Sequence, residues 1–263
     1  MTGGSAPLAV PTRAALSVAG LTGPVGLTIV RGVTFDVPAG QTHVVLGGIH
    51  AGKTMLLRHL VGLERAEAGT ITIAGEEFDA RGETMARVRR MRSRLGVVFE
   101  GSALFSRLSI VENVELPLLE HAPDDDLDPD RIRDTARGLL AEVGLMAVDD
   151  DALPEQLGRA AQRRVALARA LALRPPVLLL DEPTAGLDSH SAAELDELIV
   201  RLQERHGFGA LLFSHEVRHA YGAARHIYIF ADGRVAAEGS REALLASTHP
   251  AAQRLLQRRG RRP

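Results

Sequence analysis

The sequence predicts an α/β fold in which a mostly parallel sheet, flanked by helices, carries a phosphate-binding loop. Three stretches predict it. The apolar run His43-Val44-Val45-Leu46 leads into Gly47-Gly48-Ile49-His50-Ala51-Gly52-Lys53-Thr54, and a helical run, Met55 to Leu60, follows. Val177-Leu178-Leu179-Leu180 is a second apolar run, and it ends in Asp181-Glu182. Leu211-Leu212-Phe213 is a third and ends in Ser214-His215. Short runs apolar at every position suit strands buried on both faces. Ligands collect at the carboxyl ends of such strands.

Composition sets the bounds. A chain of 263 residues, 45% hydrophobic, can bury the core of one α/β domain with smaller subdomains. There is no cysteine, which excludes disulfides and thiolate metal sites. The net charge of −2 argues against a general nucleic-acid binder, so no specific nucleic acid is expected as a partner. No apolar run reaches the roughly 18 residues of a membrane span. No cationic–apolar leader is legible either. The expected compartment is the cytoplasm.

Taken in order, residues 1–12 are rich in Gly, Ala and Pro and are expected to be disordered. Leu16-Ser17-Val18 and Leu27 to Val37 read as strands, the second alternating at Val33, Phe35 and Val37 before a Pro38-Ala39-Gly40 turn. They suggest a small antiparallel sheet packed on the nucleotide core. No aromatic ring lies between Ala14 and Val33 to stack on a base. A missing stack forfeits roughly 1–3 kcal/mol. Gly69 to Gly75 reads as a strand and turn, and the basic run Arg87 to Arg94 as a solvated helix face, with an interaction surface as the alternative. Leu95 to Phe99 reads as a buried strand, Val111 to Val114 as the start of a helix, and Pro123 to Pro129 as a surface loop. Ile132 to Val143 has helical periodicity and stops at Gly144.

The loop fits G-x-x-x-x-G-K-[ST], and its strand and helix supply the required setting, because backbone N–H groups must converge on phosphate oxygens. Lys53 is the only lysine of the chain, although arginines abound. A compact ammonium suits the space between phosphates, and a planar guanidinium does not replace it. Asp181 and Glu182 are acidic residues at a strand end. By themselves they equally suit a helix N-terminus. Beside a phosphate-binding loop, Asp181 is expected to hold Mg²⁺ through water and Glu182 to polarise the attacking water. His215, at the next strand end, is expected to face the γ-phosphate, with an ordinary hydrogen-bonded structural histidine as the alternative.

In this order the phosphate loop, Asp181-Glu182-Pro183-Thr184-Ala185-Gly186-Leu187-Asp188 and Ser214-His215 resemble the ATPase domain of ABC transporters, from about Leu16 to Gly239. Ala166 to Leu171 is similar to the helix that follows the family's signature. Within the family, Glu100 to Phe105 and Glu112 to Leu118 resemble the ATPases of Mce/Mla-type lipid importers. The resemblance implies a P-loop NTPase core with an N-terminal antiparallel β subdomain and an inserted helical subdomain at about 101–170. It implies an ATP-binding domain over 13–240 and a helical tail over 241–263. ATP and Mg²⁺ are the implied cofactors. Residues 47–54 with Glu100 and Asp181 are the implied nucleotide contacts, Thr54, Asp181 and Glu100 the implied Mg²⁺ ligands, and Glu182 and His215 the implied catalytic residues. Implied partners are integral membrane permease subunits and a second ATPase subunit, identical or different, which places the chain peripherally at the inner face of the cell membrane. Phe105 and Leu108 are candidate anchors for a permease helix, with closure of the helical subdomain's own core as the alternative.

The departures bear on mechanism. The family signature, Leu-Ser-Gly-Gly-Gln, falls at Leu157-Gly158-Arg159-Ala160-Ala161, so the hydroxyl is gone and two side chains stand where close backbone approach is wanted. Gly158, Arg159, Ala160 and Asp188 are the implied contacts to a second subunit. Glu100 replaces a glutamine, adding negative charge and donating no hydrogen bond. His50 replaces a glycine. An ATPase that powers a transporter by head-to-tail dimerisation is expected, with hydrolysis slowed. The alternative is a catalytically weak partner subunit that needs a consensus ATPase chain.

Overall fold

The computed structural model describes residues 13–23, 30–121, 128–146, 149–216 and 224–256. The expectations for residues 1–12, for residues 27–29, for most of the Pro123 to Pro129 loop and for residues 257–263 of the expected helical tail lie outside the described residues.

Two sheets form the frame. The smaller is antiparallel, in the order β2-β1-β4-β5, from β1 (Ala14–Thr22), β2 (Val33–Pro38), β4 (Ala68–Ile73) and β5 (Glu76–Asp79). Its alternation sets the register: Val18 lies opposite Phe35 on one side and Ile71 on the other, and all three are buried. The larger sheet has the order β10-β9-β3-β8-β7-β6. It comprises β3 (Thr42–Gly47), β6 (Leu95–Val98), β7 (Val177–Asp181), β8 (Gly209–Ser214), β9 (His226–Ala231) and β10 (Arg234–Gly239). Its strands run parallel except β10, which returns antiparallel to β9.

Every residue of β3, β7 and β8 is buried, as their central apolar runs require, and Thr42, His43, Asp181 and Ser214 are buried with them at the strand ends. Successive side chains sort to opposite faces. Val45, Leu179, Leu211 and Phe213 pack with the antiparallel sheet and with α1 (Lys53–Leu60). Val44, Leu46, Leu178, Leu180 and Leu212 pack with α3 (Ile110–His121), α4 (Pro129–Glu142), α5 (Arg159–Leu171) and α6 (Ser189–His206). Helix α3 packs on α4 and α5, and α5 also lies against β6. The described residues close with α7 (Arg241–Leu245) and α8 (Pro250–Leu256).

Several local expectations are corrected. Strand β2 starts at Val33, since Val30 to Gly32 are not in a strand. Strand β5 was not legible, because only Phe78 of its four residues is buried. Pro129 opens α4 instead of closing a loop: the Asp128 side chain accepts from the N–H groups of Asp130 and Arg131, and proline is tolerated in a first turn. The helix expected under the basic run is present as α2 (Met85–Ser93), its Arg87 and Arg90 largely exposed, and its arginines are tied down locally. Arg90 and Arg94 each pair with Glu76 at 2.8 Å, Arg87 pairs with Glu83 at 2.7 Å, and Arg92 donates to the Val61 carbonyl at 3.0 Å.

Candidate nucleotide site

The parallel register brings the chemical residues to one edge. Leu46 is level with Ser214, and Asp181 with Phe213, so β3, β7 and β8 deliver the loop after Gly47, the pair Asp181-Glu182 and the pair Ser214-His215 side by side. Helix α6 begins only at Ser189, which rejects the reading of Asp181-Glu182 as a helix N-terminus. A cavity of about 520 Å³ is lined by Gly48, Ile49, His50, Ala51, Gly52, Lys53 and Thr54, and by Glu100, Asp181, Glu182 and His215.

The loop's glycines are steric requirements at two points. A Cβ on Gly47 would lie 2.5 Å from the Phe230 carbonyl oxygen. Gly52 caps α1 with φ of 104°, which a side chain rarely allows. His50 also has a positive φ, 67°, at a cost of about 1–2 kcal/mol for a residue with a Cβ. Lys53 is buried, and its ammonium donates to the carbonyls of Gly47 (2.9 Å) and Gly48 (3.2 Å). Burial pulls its pKa down, opposed by the charges of Glu182, Asp181 and Glu100.

Glu182 is the hub of the polar side chains. Its Oε1 lies 2.7 Å from His215 Nδ1 and 3.9 Å from Lys53 Nζ, and its Oε2 accepts from Ser214 Oγ at 3.3 Å. Its φ of 45° is a left-handed conformation held by the bond from its own N–H to the Phe213 carbonyl at 2.9 Å. Strain of this kind often gathers at functional sites. Asp181 is buried, and its carboxyl is pushed up to about 6, first by burial and then by the charges of Glu182 and Glu100.

Glu100 reaches the same cavity from the end of β6, on an arm whose next three residues, Gly101, Ser102 and Ala103, all have positive φ (78°, 70° and 46°). Two arginines of α5 hold that arm. Arg163 donates to the Phe99 carbonyl (3.3 Å) and Ser102 Oγ (3.2 Å), and Arg169 to the carbonyls of Ala103 (2.9 Å) and Ser102 (3.1 Å).

Gly158, Arg159, Ala160 and Asp188 are not among the residues lining the cavity. Gly158 is the N-cap of α5 and supplies no side-chain cap, so the serine's absence is felt locally. The Arg159 guanidinium donates to the Gly186 carbonyl of its own chain at 3.4 Å. The Asp188 carboxylate caps α6 by accepting from the N–H groups of His190 and Ser191, both at 3.0 Å. Sequence reasoning missed two neighbours. Arg58 lines the cavity from α1, five residues beyond Lys53. Arg163 binds the Glu100 arm, and nothing in a run of arginines marked it out.

The family model for the ABC transporter family matches residues 30–185. This chain belongs to the ABC transporter ATP-binding family. It is 33% identical over 249 residues to the probable ribonucleotide transport ATP-binding protein mkl of Mycobacterium leprae, covering 94% of this chain and 70% of that one. It is 33% identical over 224 residues to the intermembrane phospholipid transport ATP-binding protein MlaF of Escherichia coli, covering 85% and 81%. It is 34% identical over 226 residues to the L-cystine transport ATP-binding protein TcyN of Escherichia coli, covering 84% and 88%. Among solved structures, the dimeric ATP-binding cassette MJ0796 bound to ADP and Pi is similar with a TM-score of 0.75 at 26% identity, covering 86% of this chain and 98% of that one. As a member of this family the chain is an ATPase with the P-loop NTPase fold. Among the described residues no helix is long and apolar enough to cross a membrane.

Proposed function

We propose that this ABC ATPase binds MgATP in the 520 Å³ cavity and hydrolyses it as the motor of a lipid transporter of the Mce/Mla type. The observation that carries the site reading is the convergence of Lys53, Asp181, Glu182 and His215 on that one cavity, with Glu182 bonded to His215. Residues 47–54 cradle the phosphates, with Lys53 as their counter-charge. Glu182 takes up the proton of the attacking water, and His215 orients Glu182 and faces the γ-phosphate.

The donors present fit Mg²⁺. The Thr54 hydroxyl and the Asp181 and Glu100 carboxylates are hard oxygen donors on one cavity. Among the described residues no three His, Cys, Asp or Glu groups form a cage. Mg²⁺ suits such a site, because it takes one or two carboxylates and completes its shell with water and phosphate oxygens. When bound it neutralises charge on the β- and γ-phosphates.

The lipid assignment draws on the likeness to MlaF, while TcyN is as similar over as much of the chain. In this reading the chain sits at the inner face of the cell membrane and works as a head-to-tail dimer on permease subunits. A groove of about 530 Å³ lined by Val97, Phe99, Phe105, Leu116, Pro117 and Leu173 receives the permease helix. Phe105, 52% exposed, is its anchor. Leu108 is half-buried, does not line the groove, and its carbonyl accepts from Asn113 Nδ2 at 3.1 Å, so its part is in closing the start of α3. A weak partner subunit is the second reading, favoured by the uncapped α5 N-terminus.

Co-isolation with membrane subunits, followed by ATPase assays with phospholipid or L-cystine, tests the proposal. Stimulation by phospholipid alone is expected. Stimulation by L-cystine alone would redirect it to small-solute import, and failure to retain any membrane subunit would reject the motor role.

A further inference from the structure

We propose that Arg163 is a positioning residue for hydrolysis, a single guanidinium that fixes the Glu100 arm and the Glu182-to-Asp188 loop relative to each other. The inference rests on the reading of the cavity as the site of MgATP hydrolysis.

Arg163 lies about one turn into α5, 6% exposed, between two loops that are far apart in sequence. One terminal nitrogen, Nη1, donates to the Phe99 carbonyl (3.3 Å) and to Ser102 Oγ (3.2 Å), and these two residues flank Glu100. The other, Nη2, donates to the Ala185 carbonyl (3.3 Å), three residues beyond Glu182. All three acceptors are neutral, so among the described residues the guanidinium hydrogen-bonds no carboxylate, although the nearby charge of Glu100 favours it and that of Arg159 opposes it. Burial of a charge in that manner is costly. What a planar fork gains there is geometric, since its divergent donors can join two backbones at a fixed separation.

Both backbones need a restraint. Gly101, Ser102 and Ala103 form a run of left-handed residues, and Glu182 is itself left-handed. Arg169 steadies only the first of the two, through the carbonyls of Ser102 and Ala103. Arg163 touches both. Through it the carboxylate proposed on the Mg²⁺ side and the one proposed as base keep one spacing across the cavity.

The test compares the full chain, with its membrane subunits where the lone chain is slow, against Arg163→Gln, Ser102→Ala and the double variant. For Arg163→Gln, kcat is expected to fall about tenfold or more, since small misplacements of reacting groups are costly. KM for ATP should stay within about twofold, because the phosphate loop is untouched, while half-saturation by Mg²⁺ should rise about threefold or more as Glu100 loosens. Ser102→Ala should raise the Mg²⁺ requirement with a smaller loss of kcat, and should add little to Arg163→Gln. If Arg163→Gln does not fold, Arg163→Lys carries the same expectation, since one ammonium cannot span both loops. Parent values throughout would overturn the proposal. So would a loss of active sites, counted by bound ATP, in which the remaining sites keep the parent's Mg²⁺ dependence. A parent complex that neither binds nor hydrolyses MgATP would defeat the reading of the cavity and this role with it. Active parent and equally active Arg163→Gln would defeat only the role of Arg163.

Discussion

His215 Nδ1 lies 2.7 Å from Glu182 Oε1. With that nitrogen donating its proton to the carboxylate, the imidazole's tautomer is set by Glu182, and the carboxylate is held toward the cavity. The same oxygen is 3.9 Å from Lys53 Nζ, so the proposed base and the proposed phosphate counter-charge already interact.

Glu182→Gln should therefore retain MgATP and lose about 100-fold or more of turnover, because an amide cannot accept the water's proton. It should also accumulate an ATP-bound dimer. Lys53→Ala should weaken ATP binding itself, by roughly 10- to 100-fold, the worth of a hydrogen bond to a charged group. A fluorescent ATP titration separates the two variants. Phosphate release by Glu182→Gln at the parent rate would remove this residue from the mechanism.

The parts of this site visible in the sequence are those in which backbone and chemistry coincide. A strand buried on both faces is apolar through its middle, so β3, β7 and β8 announce themselves, and their ends bring Lys53, Asp181, Glu182 and His215 together. Strand β5 gave no such signal, because of its four residues Phe78 alone is buried, Glu77 is exposed, and Glu76 on the Phe78 face is half-buried and paired with Arg90 and Arg94. Arg163 was hidden for another reason. Its partners are the carbonyls of Phe99 and Ala185 and the hydroxyl of Ser102, and backbone acceptors leave no mark on residue identity. The left-handed Glu182 is likewise invisible, since its bond to the Phe213 carbonyl depends on which strand lies alongside.

The groove beside the site gives a prediction for assembly. Phe105 is half-exposed with Arg169 over its ring at 5.8 Å, so Phe105→Asp leaves the fold intact and puts a carboxylate where an apolar helix would dock. Retention of membrane subunits in a pull-down should drop about tenfold or more, at unchanged melting temperature. Full retention would return Phe105 to a part in the chain's own packing.

A pair of buried groups makes acid stability a measurable signature. His43 donates or accepts through Nδ1 with the Tyr228 hydroxyl at 3.1 Å, and the Tyr228 hydroxyl donates to the Asp36 carbonyl at 2.6 Å. The single phenolic proton is thereby used, so neutral His43 carries its own proton on Nδ1. Burial, and then the nearby His226, push its pKa down to about 4 from 6.5. A depressed histidine pKa means that the unfolded chain binds the proton first, so stability should fall as pH drops from about 6.5 to about 4, by up to about 3 kcal/mol. Asp181 acts in the opposite sense. Its carboxyl is raised to about 6 from 3.8, so its protonation favours the fold over nearly the same window. Relative to the parent, denaturant titrations should show a steeper acid loss for Asp181→Asn and a shallower one for His43→Gln, with buried His59, also shifted down, contributing loss in all three. Identical profiles for all three would show that neither group is shifted as described.

The altered signature yields the sharpest test of how two copies would work together. In the proposed head-to-tail dimer the start of α5 would close the other subunit's nucleotide site, and here it presents Gly158 without a side-chain cap and Arg159 with a long cationic side chain. Arg159 now rests on the Gly186 carbonyl at 3.4 Å, a long and exposed contact that costs little to release. Two consequences compete. If the signature is merely damaged, Arg159 obstructs close approach, and Gly158→Ser with Arg159→Gly should raise ATPase activity of the lone chain, by about tenfold if one good hydrogen bond to phosphate is restored. If Arg159 instead reaches the γ-phosphate of the other subunit, it supplies a charge-assisted contact in place of the hydroxyl, and the same double substitution should lower activity. Arg159→Lys separates the outcomes again, since an ammonium preserves the charge but not the fork. An unchanged rate in the double variant, with the ATP-dependent dimer confirmed by light scattering, would mean that this segment does not close the site.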